Sequence, residues 1–200
     1  MTIKYNYNQI EKNSINNILL STIDINNIMQ QYNDNNFHFI PTSPIDFDTW
    51  ERDNKYVRND IRLFHKKLNE YIKNKKNIGF IFNTEPHTHR GKHWVSLYID
   101  TRPRVMKIFY FDSFGSKPPV QIQNLISRII TESKNINKQL TYVSTDGIRR
   151  QNSRTECGMY CVYMLINLAL KKKSINYFID KSKNIPNRIV YNFRNKVFIK

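Results

Sequence analysis

Residues 158–170, GMYCVYMLINLAL, constrain the fold most. The run holds no charge and no proline, and apolar side chains fall on every side of the helix it would form. A helix apolar all round is buried, so the rest of the chain has to cover it. It is too short and too interrupted to span a bilayer. Directly before it stands Gln151-Asn-Ser-Arg-Thr-Glu-Cys157-Gly158. A thiolate at a helix start meets the positive end of the dipole and free N–H groups, which lower its pKa. A glutamine six residues upstream can donate an amide N–H to a developing oxyanion. This is the layout of a cysteine nucleophile.

Two hundred residues, 40% of them hydrophobic, with 12 Tyr and 12 Phe, suffice for one domain with a packed core. Within residues 1–200 the sequence divides into an N-terminal strap and short helix (1–54), a catalytic core (55–170) and a C-terminal extension packing on it (171–200). The net charge is +16. Such a balance favours acidic partners, nucleic acid first. The basic residues are scattered along the chain, so a solvated lysine-rich surface competes with accessory nucleic-acid binding. The pair Arg149-Arg150 reads as solvated on the same ground. The two cysteines, Cys157 and Cys161, stand one helical turn apart, poorly placed for a disulfide. That usage fits a reducing compartment. The start MTIKYNYNQIEKN lacks the apolar stretch of a signal peptide, so a soluble, intracellular protein is expected.

Along the chain, Asp24 can cap a short helix through IMQQY. FHFIPTSPIDFDTW is extended or looped, broken by Pro41 and Pro44. Residues 55–75 carry apolar positions at helical spacing, and Ile78 to Phe82 reads as a strand. After the loop NTEPHTHRGK come two strands, His93 to Asp100 and Val105 to Asp112, joined by TRPR. A helix from Val120 to Ser133 and a strand from Leu140 follow. The tail mixes a short helix with an extended end, YNFRNKVFIK. Helices flanking a run of strands make the class α+β.

His93 opens a strand, and its ring needs an acid to orient it. With the hairpin turn centred between Arg102 and Pro103, His93 faces Asp112, roughly 5 Å away at Cβ. Asp100 lies about 23 Å along the strand from His93. The expected roles are His93 as base, Asp112 as orienting acid, and Cys157 as nucleophile. Gln151 and the Cys157 backbone N–H form the oxyanion hole. Gly158 lets a substrate approach the helix start closely, and Trp94 either packs behind the site or shields the His–Asp pair. His87, His89 and His93 in HTHRGKH lack the closed ligand set of a zinc site. No metal is expected, and His87 and His89 are placed on the rim of the site. Cys161 reads as core packing.

HWVSLYID, FYFDSFG and QNSRTECGMYCVYML together resemble the adenovirus-protease and SUMO-protease superfamily of cysteine peptidases. The order His, Asp, Gln, Cys is that of the superfamily and differs from papain, whose cysteine comes first. STIDINNIMQQY and PIDFD look more like the proteases of large nucleocytoplasmic DNA viruses, the African swine fever virus type. Glu156 departs from the Asp commoner before the cysteine. Trp50 does not match the early tryptophan of SUMO proteases. The resemblance implies a circularly permuted papain-like fold, a central mixed sheet flanked by helices. It also implies cleavage after small residues, at Gly-Gly or Gly-X-Gly sites. The partners it implies are protein substrates: viral structural polyprotein precursors, cut in the host cytoplasm (viral factory) and virion, or, alternatively, ubiquitin-like conjugates. No cofactor is required, and DNA or an activating peptide would be accessory. Acetyl transfer on the same constellation, or a basic binding module on an inactive protease fold, are the other readings.

Overall fold

Helix α4, Cys157–Ala169, is the axis of the molecule, with twelve of its thirteen residues buried. Full burial of a Val, Leu, Ile or Met side chain stabilises by about 1.5–3 kcal/mol. Met159, Val162, Met164, Leu165, Ile166 and Leu168 all reach it here, so this helix anchors the surrounding layers. The structure is a computed structural model describing residues 5–6, 19–49 and 67–199.

A mixed sheet covers one side of α4. Its strands are β2 (Phe37–Ser43), β3 (Asn77–Asn83), β4 (Trp94–Asp100), β5 (Met106–Phe111) and β6 (Leu140–Ser144), ordered β2-β3-β4-β5-β6. The outer pairs β2–β3 and β5–β6 are parallel and the inner pairs antiparallel. Alternation along the strands divides the core. Trp94, Tyr98, Phe109 and Phe111 face α4, whereas Val95, Leu97, Ile108 and Tyr110 face the opposite side. On the α4 side lie α1 (Thr22–Gln30), α5 (Ile175–Ile179) and α6 (Asn187–Val197). Across the sheet lie α3 (Val120–Asn135) and α2, described over residues 67–73. A short parallel pair joins β1 (Tyr5–Asn6) to β7 (Phe198–Ile199). The expected α+β class and flanked mixed sheet are both present. The helix expected over residues 55–75 falls largely outside the described residues, as does Trp50.

Four local readings are corrected. Ser21, not Asp24, is the N-cap of α1. Its hydroxyl accepts from the Asp24 N–H at 3.2 Å, while the Asp24 carboxylate accepts from the Ser21 N–H at 2.9 Å. This is a capping box. FHFIPTS forms the edge strand β2 despite Pro41, because the register shifts between Ile40 and Ser43. An edge strand with a bulge tolerates a missing donor. YNFRNKVFIK is mostly helix α6, whose Val190, Arg194 and Val197 are buried along one stripe. The hairpin turn is longer than the sequence suggests. Asp100 pairs with Lys107 and Leu97 with Tyr110, two residues further along β5 than expected. Asp100 accepts from both the backbone N–H (3.2 Å) and the guanidinium (2.8 Å) of Arg102, which opens the turn.

Candidate active site

The C-terminal end of β5 and the N-terminal end of β4 lie side by side, and α4 begins close by. Past Phe111, the chain turns at Asp112, with the Gly115 N–H donating to the Asp112 carbonyl at 3.0 Å. Gly115 has φ +75, and a Cβ there would sit 2.7 Å from the Ile148 carbonyl carbon. Glycine is therefore required where this turn meets the loop carrying Gln151. The Thr145 hydroxyl accepts from the Asp112 N–H (2.9 Å) and donates to the Asp112 carbonyl (3.0 Å). The Asp112 side chain, 2% exposed, accepts from the Phe114 N–H at 2.8 Å.

The same carboxylate oxygen, Oδ1, lies 2.8 Å from His93 Nε2. The β4–β5 ladder ends at the Ser96–Phe111 pair, and Phe114, in the turn beyond it, stacks its ring on His93 with centroids 5.0 Å apart. A slip of two residues keeps each side chain on its face of the sheet, and His93 and Asp112 still meet, each one residue beyond its strand. The Cys157 side chain stands near enough to the imidazole to act on its protonation. Burial alone would lower the His93 pKa. The hydrogen bond to Asp112, the nearness of Cys157 and the charges of both groups outweigh it and hold the ring at about 9.

Cys157, 2% exposed, is the first residue of α4. Its backbone N–H is among those a helix start leaves without an intrahelical partner. Gln151 is fully buried. Its Oε1 accepts from the Ser113 hydroxyl at 2.6 Å, and its Nε2 donates to the Ser153 carbonyl at 2.9 Å. One N–H of the amide stays available for another acceptor. The Ser113 carbonyl accepts from the backbone N–H of both Arg150 and Gln151, each at 2.8 Å. Ser113 therefore ties the acid's turn to the glutamine's loop.

Trp94 donates its indole N–H to the Leu20 carbonyl at 3.0 Å, immediately before the capped start of α1. A Cβ on Gly158 would lie 3.1 Å from Trp94 Cδ1 and 3.2 Å from Leu20 Cβ. Gly158 thus lets Trp94 close on the helix start beside Cys157. Trp94 and Leu20 also line a cleft of about 500 Å³, whose rim includes Asn83, Glu85, His87, His89 and Lys92. His87 is held there by Asp46, Nδ1 to Oδ2 at 2.6 Å. Cys161 is fully buried and donates to the Trp94 carbonyl at 3.4 Å. Both cysteines are free.

Arg150 corrects the reading of Arg149-Arg150 as a solvated pair. It is 6% exposed, and its guanidinium donates to the carbonyls of Phe178, Asp180 and Lys183. Arg149 is exposed, but it donates to the Gln151 carbonyl at 2.9 Å and lies 5.1 Å over the Phe114 ring. Glu156, the departure noted in the sequence, is fully buried and faces the buried Arg194 of α6, 3.5 Å away. Ser113, Phe114, Thr145, Arg150 and Arg194 were not foreseen as parts of the site. Ser113 and Phe114 lie inside the quoted FYFDSFG, where their adjacency to Asp112 was the available signal. The others come from distant segments.

An imidazole beside a buried carboxylate, with a thiol at a helix start close by, is an arrangement suited to a cysteine nucleophile. The chain belongs to the Ulp1 protease family: the model of its C-terminal catalytic domain matches residues 9–200. It is 28% identical over 189 residues to the SUMO-1 cysteine protease of African swine fever virus (isolate Pig/Kenya/KEN-50/1950), covering 90% of this chain and 67% of that protein. A thiol protease of Acanthamoeba polyphaga mimivirus is 30% identical over 151 residues, 74% of this chain and 47% of that one. The crystal structure of the African swine fever virus pS273R protease superposes with a TM-score of 0.74 at 25% identity, covering 92% of this chain and 69% of that one. The fold is also that of the Ulp1 protease domain solved with Smt3, the yeast ortholog of SUMO (TM-score 0.57, 16% identity, 90% and 74% covered). The protein is thus a cysteine-type peptidase with viral relatives. Among the described residues, no helix is long and apolar enough to cross a membrane.

Proposed function

We propose that Cys157, His93 and Asp112 are the catalytic triad of an endopeptidase that cuts after small, glycine-containing sequences and processes structural precursor polyproteins of a virus. The observation carrying the mechanism is the His93 ring held by Asp112 at 2.8 Å beside the helix start that carries Cys157. His93 takes the thiol proton, and the thiolate attacks the scissile carbonyl carbon. The oxyanion is received by the Cys157 backbone N–H and the remaining N–H of Gln151. The intermediate collapses to a thioester as the C–N bond breaks, and His93 returns its proton to the leaving amine. A water then gives its proton to His93 and attacks the thioester, releasing the acid and restoring the thiol. No step needs a cofactor.

Small residues next to the cut are supported by Trp94 and Leu20, which close on Gly158 and narrow the approach to Cys157. The polyprotein role is supported by the identity to viral proteases over most of the chain. It would place the enzyme in the host cytoplasm, the viral factory and the virion. Mass-spectrometric mapping of cuts in virion proteins and Gly-containing peptide libraries tests it. Wild type should cut, and Cys157→Ala should fall by at least about 10⁴-fold. Turnover surviving that substitution sinks the mechanism.

The second reading is removal of a ubiquitin-like modifier. It is supported by the name of the African swine fever virus relative, a SUMO-1 cysteine protease. Vinyl-sulfone derivatives of SUMO and ubiquitin separate the two. Rapid labelling of Cys157 by one of them, with poor peptide turnover, favours deconjugation; slow labelling with efficient peptide cleavage favours the polyprotein.

A further inference from the structure

Nine of the lysines and arginines scattered along the sequence line clefts at the end of the sheet away from Cys157. There the β4–β5 turn, residues 101–105, separates two clefts that share Arg102 and Pro103 as a common wall. The first, about 650 Å³, is lined by Arg102, Lys107 and the three lysines Lys171, Lys172 and Lys173 that follow α4. The second, about 570 Å³, adds Lys73, Lys75, Arg104 and Lys138. Among the described residues of both walls the single carboxylate is Asp100, and Arg102 already neutralises it through two bonds of 2.8 and 2.9 Å. By contrast, the cleft beside Trp94 carries one lysine and one glutamate.

Helix dipoles explain part of this. Lys73, Lys75, Lys138 and Lys171 to Lys173 all stand at or just past helix C-termini, where cations are favoured. Arg102, Arg104 and Lys107 lie on a β hairpin, where no helix end calls for them, and they face the same two troughs. We infer that this end of the molecule docks double-stranded nucleic acid through its phosphates. A turn standing between two basic troughs matches a duplex groove with a phosphate strand on either side. Neither wall has an aromatic side chain among the described residues, which disfavours single strands, whose bases need stacking platforms. The cations lie in concave walls rather than on a flat face, which disfavours a lipid surface. Docking here leaves Cys157 uncovered, since α4 spans thirteen residues, about 20 Å, between the two ends.

The test is fluorescence anisotropy with a fluorescein-labelled, random-sequence 24-base-pair DNA duplex between about 50 and 200 mM salt. Two variants, each lacking four positive charges, are compared. One carries Arg104→Gln, Lys171→Gln, Lys172→Gln and Lys173→Gln. The other carries Arg90→Gln, Lys117→Gln, Lys181→Gln and Lys183→Gln, all exposed and outside the two clefts. The wild type should bind with a steep salt dependence. The first variant should bind at least about tenfold more weakly, with the slope of log K against log salt flattened by about 3 to 4. The second should change far less. Equal losses in the two variants would reduce the effect to net charge and overturn the docking site. So would tighter binding of the wild type to a 24-residue oligo-dT or to phosphatidylserine vesicles than to the duplex, a comparison that needs no variant.

Discussion

The two walls of the candidate site are built from different materials. The imidazole wall is a mesh of directed hydrogen bonds: Asp112 is fixed by Thr145 and Phe114, and Ser113 joins its turn to Gln151. The thiol wall is packing. Cys157 rides on a helix buried along its length, held at its start by the Trp94–Gly158 contact and the buried Glu156–Arg194 pair. The difference teaches where chemistry and stability separate. Substitutions in the mesh should change rates and pH profiles more than folding, whereas substitutions in the packing around Cys157, the thiol itself excepted, should change folding first.

The largest effect expected from breaking the mesh is that of Asp112→Asn. An amide keeps the volume and loses the negative charge. His93 then lacks the partner that fixes its tautomer, and kcat should fall by about 10³- to 10⁴-fold. The pH profile carries the sharper signature. His93 is raised to about 9, so the protonated ring persists through neutral pH and is lost as pH rises through that value. The alkaline limb of kcat/KM should lie near pH 9 in the wild type and move down in Asp112→Asn. An unmoved limb would mean that another group sets it.

Next is Arg194→Met in the packed wall. Burial raises the Glu156 pKa, and the Arg194 charge opposes that rise. Removing the cation leaves a buried carboxylate uncompensated, at a cost of about 3–5 kcal/mol. Urea unfolding should show the loss. Glu156→Leu combined with Arg194→Met should recover much of it, because a buried ion pair is often replaceable by packed apolar groups. If the single variant loses turnover at unchanged stability, the division between the walls fails here.

The mesh and the packed wall were also unequally legible in the sequence. The packed helix and the four residues His93, Asp112, Gln151 and Cys157 were readable because local pattern and chemistry announce them. The hairpin register was misjudged by two residues, yet the pairing survived, because side chains in a strand repeat every second residue. A slip of one would have turned Asp112 to the other face. The helix α6 was misread because its apolar positions are thinned by Asn, Arg and Lys, and it owes its place to packing against α4. Arg150 and Arg194 look like surface charges in sequence. Only the return of the C-terminal segment over α4 buries them among carbonyls or opposite Glu156.

The smallest effect expected is at the seam between the two walls, where Phe114 stacks on His93 and Arg149 lies over the Phe114 ring. A ring face against an imidazolium favours its charged form by about 0.5–1 kcal/mol, less than one pKa unit. Phe114→Leu keeps an apolar cover and leaves the backbone N–H that donates to Asp112. The alkaline limb should therefore fall by about half a unit, with kcat at neutral pH reduced only several-fold and stability nearly unchanged. A shift as large as that of Asp112→Asn would place the ring, not the carboxylate, in control of His93. No shift, with a clear loss of stability, would make Phe114 a packing residue and move it from the mesh to the packed wall.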